Sequence, residues 1–106
     1  MLFWVLSLIL NIAPITMTVT PRVSFEPATI IVHLRIERSP ENRWLAWQCE
    51  GENLSVSRAF ELDGNSPVTF TDDKTLRTVP AGNYLCAATL ITTSKTFSSP
   101  TDFMVR

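Results

Sequence analysis

Residues 80–92 read Pro-Ala-Gly-Asn-Tyr-Leu-Cys-Ala-Ala-Thr-Leu-Ile-Thr, and they carry the clearest sequence signal of the fold. The Pro-Ala-Gly opening is typical of a turn, and the residues after it alternate as a β-strand requires. Tyr84, Cys86, Ala88 and Leu90 therefore share one face. We predict a strand that begins directly after a turn and presents this face to a core.

The chain from Pro21 onward has the same texture of short alternating runs separated by turn residues. No segment beyond the N-terminus shows an apolar stripe at helical spacing. Short strands with regularly spaced turns predict an all-β antiparallel sandwich of about seven strands. The predicted strands are 22–26, 28–37, 43–50, 54–62, one broken strand or two short ones over 68–71 and 75–79, the strand of Tyr84, and a last strand after a hairpin tip at 92–95.

The N-terminal twenty residues carry no charged side chain, and residues 2–13 are an apolar run of signal-peptide length. No Lys or Arg precedes the run, and prolines follow two of the candidate cleavage sites. Three interpretations stay open: a cleaved signal peptide, an uncleaved membrane anchor, or a strand of the fold. We divide the chain into a signal or anchor over 1–20 and a sandwich over 21–106. The first two interpretations place the sandwich outside the cytoplasm, either periplasmic or secreted, or tethered to the membrane.

Composition narrows the classes of partner. The formal net charge is −1, and charged residues make up 18% of the chain, without a basic stripe. This balance argues against nucleic acid as a partner and against an anionic membrane surface. The membrane is therefore contacted only through the N-terminal segment.

Residues 42–47, 57–64 and 80–84 carry a resemblance to a known class of domain. From about residue 27 to the end, the chain resembles an immunoglobulin-like or fibronectin type III-like sandwich. The three segments resemble small exported bacterial domains of that class, most of them uncharacterised. The resemblance implies that Trp47 is the core tryptophan of the third strand. It also implies that Tyr84 is the corner tyrosine of the sixth strand, whose hydroxyl bonds back to the preceding corner.

The two cysteines depart from the antibody pattern, because Trp47 precedes Cys49 on the same strand. By the resemblance, Cys49 and Cys86 lie on neighbouring strands of one sheet, both facing inward. Such a pair forms a disulfide if the register brings the Cα atoms within about 6 Å. The alternative is two buried thiols that pack as small apolar side chains.

The sequence offers little for catalysis, so we predict that the protein is not an enzyme and holds no cofactor or metal. His33 is the only histidine and lies on the polar face of a strand. The carboxylate pairs Glu50/Glu52 and Asp72/Asp73 lie at turns, where such side chains are commonly solvated. A calcium site at one of these turns is a secondary interpretation.

The third and sixth strands have a second apolar face, on the side opposite the core. In a sandwich these strands are neighbours, so the residues would form one outward patch. We predict a binding module that engages a protein partner there. The alternatives are a glycan-binding module with Trp44 as stacking platform and a structural accessory subunit of a cell-envelope assembly. The predicted partner-binding residues are Trp44, Ala46, Leu85, Ala87, Ile91 and Met104.

Overall fold

The computed structural model describes residues 14–65 and 68–106, and this part of the chain is all β. Alternating sequence runs become strands, and turns rich in Pro, Gly, Asn and Asp separate them. The strands are β1 (Ile15–Thr20), β2 (Val23–Ser24), β3 (Ala28–Ile36), β4 (Asn42–Glu50), β5 (Ser55–Glu61), β6 (Thr69–Val79), β7 (Gly82–Thr92) and β8 (Thr96–Val105).

The strands form two sheets that pack face to face. The three-stranded sheet has the order β1-β3-β6, and the five-stranded sheet has the order β2-β8-β7-β4-β5. All pairs are antiparallel except β2 with β8, which is parallel. The predicted sandwich is confirmed, with β4 and β7 as central neighbours in the larger sheet.

The core lies between the sheets and is built from every second residue of the long strands. On β3 the residues of one parity are buried, as the sequence alternation predicts. On β4 the same holds for Leu45, Trp47 and Cys49. The largest fully buried side chains are Trp47, Tyr84, Ile15, Ile30, Leu45, Leu76, Leu90, Val19, Val32, Val79 and Cys49.

The start of the sandwich differs from the sequence prediction, which assigned residues 15–20 to the N-terminal segment. These residues form β1, which pairs with β3 in a continuous register from Ile15 opposite Ile36 to Thr20 opposite Ile31. The side chains of Ile15, Met17 and Val19 are buried. The domain therefore extends back to Ile15, because a strand that fills the core belongs to the fold. The signal-peptide or anchor interpretation of residues 2–13 falls outside the described residues, and within those described there is no helix long and apolar enough to cross a membrane.

The predicted break between residues 71 and 75 is an irregularity inside one strand, β6. Asp72 Oδ1 accepts hydrogen bonds from the backbone N–H groups of Lys74 and Thr75, both at 2.9 Å. Asp72 Oδ2 accepts a third from the Thr75 hydroxyl at 2.7 Å. The register between β3 and β6 shifts along this stretch, yet pairing resumes beyond it. A side-chain-capped bulge thus replaces two separate strands.

Candidate interaction surface

The corner before β7 holds this strand in place. The Tyr84 hydroxyl donates a hydrogen bond of 2.7 Å to the carbonyl oxygen of Pro80. Its ring stacks on Phe103 of β8, with centroids 4.8 Å apart. Burial of the hydroxyl and the nearby Glu26 carboxylate raise the pKa of Tyr84. The side chain therefore remains a neutral donor and fixes which face of β7 points outward.

A disulfide fixes the same faces from the middle of the sheet. Cys49 and Cys86 lie directly opposite each other in the β4–β7 register, with Cα atoms 4.0 Å apart, and they are bonded. Trp47, which is 2% exposed, lies on the same inward face of β4. Because side chains alternate along a strand, the residues between these positions point outward.

All six residues predicted to bind a partner lie on the outer face of the five-stranded sheet. Trp44 is 45% exposed, Leu85 is 72% exposed, and Ile91 is also exposed. The two alanines and Met104 are half-buried. These six residues, which we call the outer stripe, are Trp44, Ala46, Leu85, Ala87, Ile91 and Met104.

The register orders the outer stripe diagonally across three strands. At one end Trp44 lies opposite Ile91. At the other end Leu85 of β7 lies one outward row from Met104 of β8. Between these ends the two alanines occupy adjacent outward rows of β4 and β7. Diagonal neighbours on one face of a sheet are within about 8 Å of each other, so the stripe is continuous.

Neither Arg43 nor Arg58 covers the outer stripe, and Arg106 reaches it only at Met104, where its Nε donates to the Sδ atom at 3.5 Å. The Arg43 guanidinium donates to the carbonyl oxygens of Pro40 and Asn42, at 2.7 and 2.9 Å, and so turns toward the 39–42 turn. Arg58 lies opposite Trp47 in the β4–β5 register and therefore occupies an inward-facing position. The exposed apolar side chains remain open to solvent.

Sequence reasoning missed two exposed apolar residues at the sheet edge beyond Met104, Val23 and Phe25. Val23 lies opposite Met104, because β2 pairs in parallel with β8. Phe25 follows β2 and is 76% exposed. A two-residue edge strand leaves no alternation to read, so its facing is set only by tertiary pairing. The exposed apolar surface therefore extends past Met104 to the edge of the sheet.

Carboxylates flank both ends of the outer stripe. Glu61 lies opposite Trp44, and Glu50 lies opposite Leu85. Among the described side chains neither makes an ion pair, whereas Asp102 is paired with Arg22. Glu50 lies six positions after Trp44 along β4, which corresponds to about 20 Å. The outer stripe is thus an apolar diagonal with a carboxylate beside each end, and Gln48 and Thr89 lie beside its middle.

The side chains considered for catalysis or metal binding do not come together in one site among the described residues. His33 Nε2 lies 3.1 Å from the Thr20 hydroxyl. Over the described ranges no group of three His, Cys, Asp or Glu side chains could hold a metal ion. Burial alone would raise the pKa of Asp72, but hydrogen bonds from Thr75 and Lys74 and the charge of Arg58 lower it overall. These hydrogen bonds are local, so Asp72 caps its own strand.

The comparisons with known proteins agree with this architecture. A structure described as a myokine matches with a TM-score of 0.53 and 14% identity, over 89% of this chain and 97% of that one. The CARDB domain from Pyrococcus furiosus, solved in complex with di-metal ions, matches with a TM-score of 0.51 and 12% identity, over 89% and 92%. The fold is an immunoglobulin-like β-sandwich.

A further match is the FN1–FN3 structure of chicken CNTN1, with a TM-score of 0.48 and 10% identity, over 85% of this chain and 29% of that one. No protein-family model and no curated protein matches the sequence. At these identities the likeness concerns the fold alone, and the function has to be argued from the surface.

Proposed function

We propose that the protein is a non-enzymatic, exported binding module that engages a protein partner through the outer stripe. The observation that carries the proposal is the diagonal of apolar side chains from Trp44 to Met104, three of them exposed and three half-buried, on a face that no strand covers among the described residues. Soluble domains rarely leave such a run in water unless something binds it. Trp44 supplies the kind of large aromatic anchor that dominates binding energies at protein interfaces.

The chemistry around the stripe favours a protein over a small ligand. The middle of the face carries small side chains, including Ala46, Ala87 and Ala59, so another surface can approach the backbone closely. Glu50 and Glu61 at the two ends would attract Lys or Arg side chains of the partner. The partner we propose therefore has an apolar strip flanked by two basic side chains about 20 Å apart.

Export is part of the same proposal. Cys49 and Cys86 form a disulfide. Disulfides persist in oxidising compartments and are rare in the cytosol. The charge-free run of residues 2–13 is the feature that would direct or tether the chain there.

The test is cross-linking and capture from the extracytoplasmic fractions of the host, with wild type compared with the variant Trp44→Glu/Leu85→Glu. We expect the captured proteins to fall at least tenfold in the variant, because two charges are placed in an apolar contact. Thr16→Glu, on the outer face of the three-stranded sheet, is the matched control and should capture as wild type does. An unchanged set of captured proteins in the double variant would rule the outer stripe out.

Glycan binding is the second candidate, favoured by the exposed ring of Trp44. Trp47 is buried on the opposite face of β4, so Trp44 has no second tryptophan beside it on that strand. A single stacking ring makes a weak platform, and we rank this function below protein binding. A glycan panel that shifts the tryptophan fluorescence of wild type, but not of Trp44→Ala, would reverse the ranking. A domain that captures nothing and binds no glycan would leave the role of a structural accessory subunit.

A further inference from the structure

A groove opens along one side of the sandwich, between β5 of the five-stranded sheet and β6 of the three-stranded sheet. It encloses about 360 Å³. Its floor is formed by Val32, Leu34 and Trp47, all buried. Phe60 and Phe70 stack across the groove at one level, with ring centroids 6.2 Å apart. The groove is therefore apolar inside.

The groove exists because the two sheets differ in width. On β5, Arg58 and Phe60 occupy core-facing positions opposite Trp47 and Leu45, yet both are exposed. The three-stranded sheet ends at β6, so no further described strand covers them. A fourth strand beside β6 would cover these side chains, since strands in one sheet lie about 4.8 Å apart.

The edge of β6 is open to such a strand over a short length. Within the described chain, residues 69–72 pair with β3 on one side and with nothing on the other. Further along, Asp72 already satisfies the backbone N–H groups of Lys74 and Thr75. An unpaired edge accepts an added strand, whereas a capped one does not. The available edge is thus about four residues long, which suits the small volume of the groove.

Two polar features point to what the groove receives. The buried Nε1 of Trp47, in the floor, has no acceptor in the described structure, and a buried donor without a partner is costly. Arg58 and Lys74 line the mouth, and neither side chain makes a hydrogen bond or ion pair among the described residues. Of the two carboxylates there, Asp72 already accepts three hydrogen bonds. The two cations and two carboxylates of the mouth balance in charge, but the Arg58 guanidinium keeps donors free for an acidic side chain.

We propose that this groove binds an extended peptide segment of another protein, which adds as a short fourth strand beside residues 69–72. One apolar side chain of the segment lies against Phe60 and Phe70, and the acidic side chain one inward row further along pairs with Arg58. A backbone or side-chain oxygen of the segment accepts from Trp47 Nε1. This site faces away from the outer stripe, so the two proposals stand or fall separately.

The test uses the full domain labelled with ¹⁵N and the peptide acetyl-Thr-Val-Thr-Glu-Thr-Val-Thr-amide, whose inward positions read apolar, acidic, apolar. We expect saturable shifts in the backbone amides of residues 69–72 and in the indole N–H of Trp47. The indole N–H of Trp44 serves as the internal control and should not move. Because Arg58 forms a charge-assisted hydrogen bond, the same peptide with Lys in place of Glu should bind at least about tenfold more weakly.

Two comparisons make the result decisive. Arg58→Gln should remove the preference for the Glu peptide, while Arg35→Gln, the same change on the outer face of β3, should leave it intact. Two further peptides carry N-methyl groups on either the odd-numbered or the even-numbered backbone nitrogens. Because only alternate N–H groups of an added strand face β6, only one of these two peptides should lose the shifts. Absence of saturable shifts at millimolar peptide overturns the proposal. So does equal binding of octanoate or of both N-methylated peptides, because the groove would then hold an apolar ligand without strand addition.

Discussion

Tyr84 shows how one side chain at a corner orients the strand that carries the candidate surface. Its hydroxyl reaches Pro80 and its ring lies on Phe103, so it ties the turn to two strands. We expect Tyr84→Phe to keep the ring contact and lose the hydrogen bond. The free energy of unfolding should fall by about 1 kcal/mol, measured by urea denaturation. Asn83→Ala, at the exposed neighbouring position, is the control and should change it little.

The same variant should differ from wild type in alkali. Since folding raises the pKa of Tyr84, its contribution to stability is fully present below the unfolded-state pKa of about 10. That contribution is lost as pH rises through the folded-state pKa. The stability difference between wild type and Tyr84→Phe should therefore shrink above pH 10, and a difference that grows there would contradict this account.

At the residue level the sequence is informative wherever a strand is long enough to alternate. The facing of Trp44 and Trp47 follows from parity alone, and the structure places them on opposite sides of β4. Phe25 could not be placed in this way, because β2 has only two residues and its facing depends on β8. Arg58 is a different case: its parity is inward, but the opposite sheet is too narrow to bury it.

At the level of elements, β1 is where sequence and structure differ most. Its charge-free residues continue the apolar run of residues 2–13, so they resemble the end of a hydrophobic segment. The signal that separates them is the alternation of Ile15, Met17 and Val19 with three threonines, which a helix crossing a membrane does not require. By contrast, the strands from β3 onward are bounded by turn residues and could be predicted.

This placement of β1 limits where an exported chain can be cut. A chain that starts at Pro14 should fold, whereas one that starts at Pro21 loses three buried side chains, each worth about 1.5–3 kcal/mol. Such a loss is comparable to the whole stability of a small domain. We expect the shorter chain to be unfolded by circular dichroism and the longer one to melt cooperatively. A shorter chain as stable as the longer one would show that β1 is dispensable.

For the molecule as a whole, the sandwich is a frame that presents two different open surfaces. The outer stripe is an apolar surface with acidic ends, and the groove between β5 and β6 is an apolar cleft with Arg58, Lys74 and two carboxylates at its mouth. Cys49 and Cys86 join the two central strands of the sheet that contributes to both. The frame must therefore stay folded for either surface to exist.

The disulfide should contribute a large part of the stability of the folded sandwich. The cysteines are 37 residues apart in sequence, and closing a loop of that length stabilises a domain by about 4 kcal/mol in the chain-entropy account. A domain of this size has a total stability on the order of 5–15 kcal/mol. We expect Cys49→Ala/Cys86→Ala to have a free energy of unfolding about 4 kcal/mol lower than that of wild type, measured by urea denaturation. Wild type with added reductant is the control, because it lacks the cross-link but keeps both sulfur atoms. Its free energy of unfolding should fall by a similar amount. A loss below about 1 kcal/mol in both cases would mean that the fold does not depend on an oxidising compartment. Export would then be supported by the N-terminal segment alone.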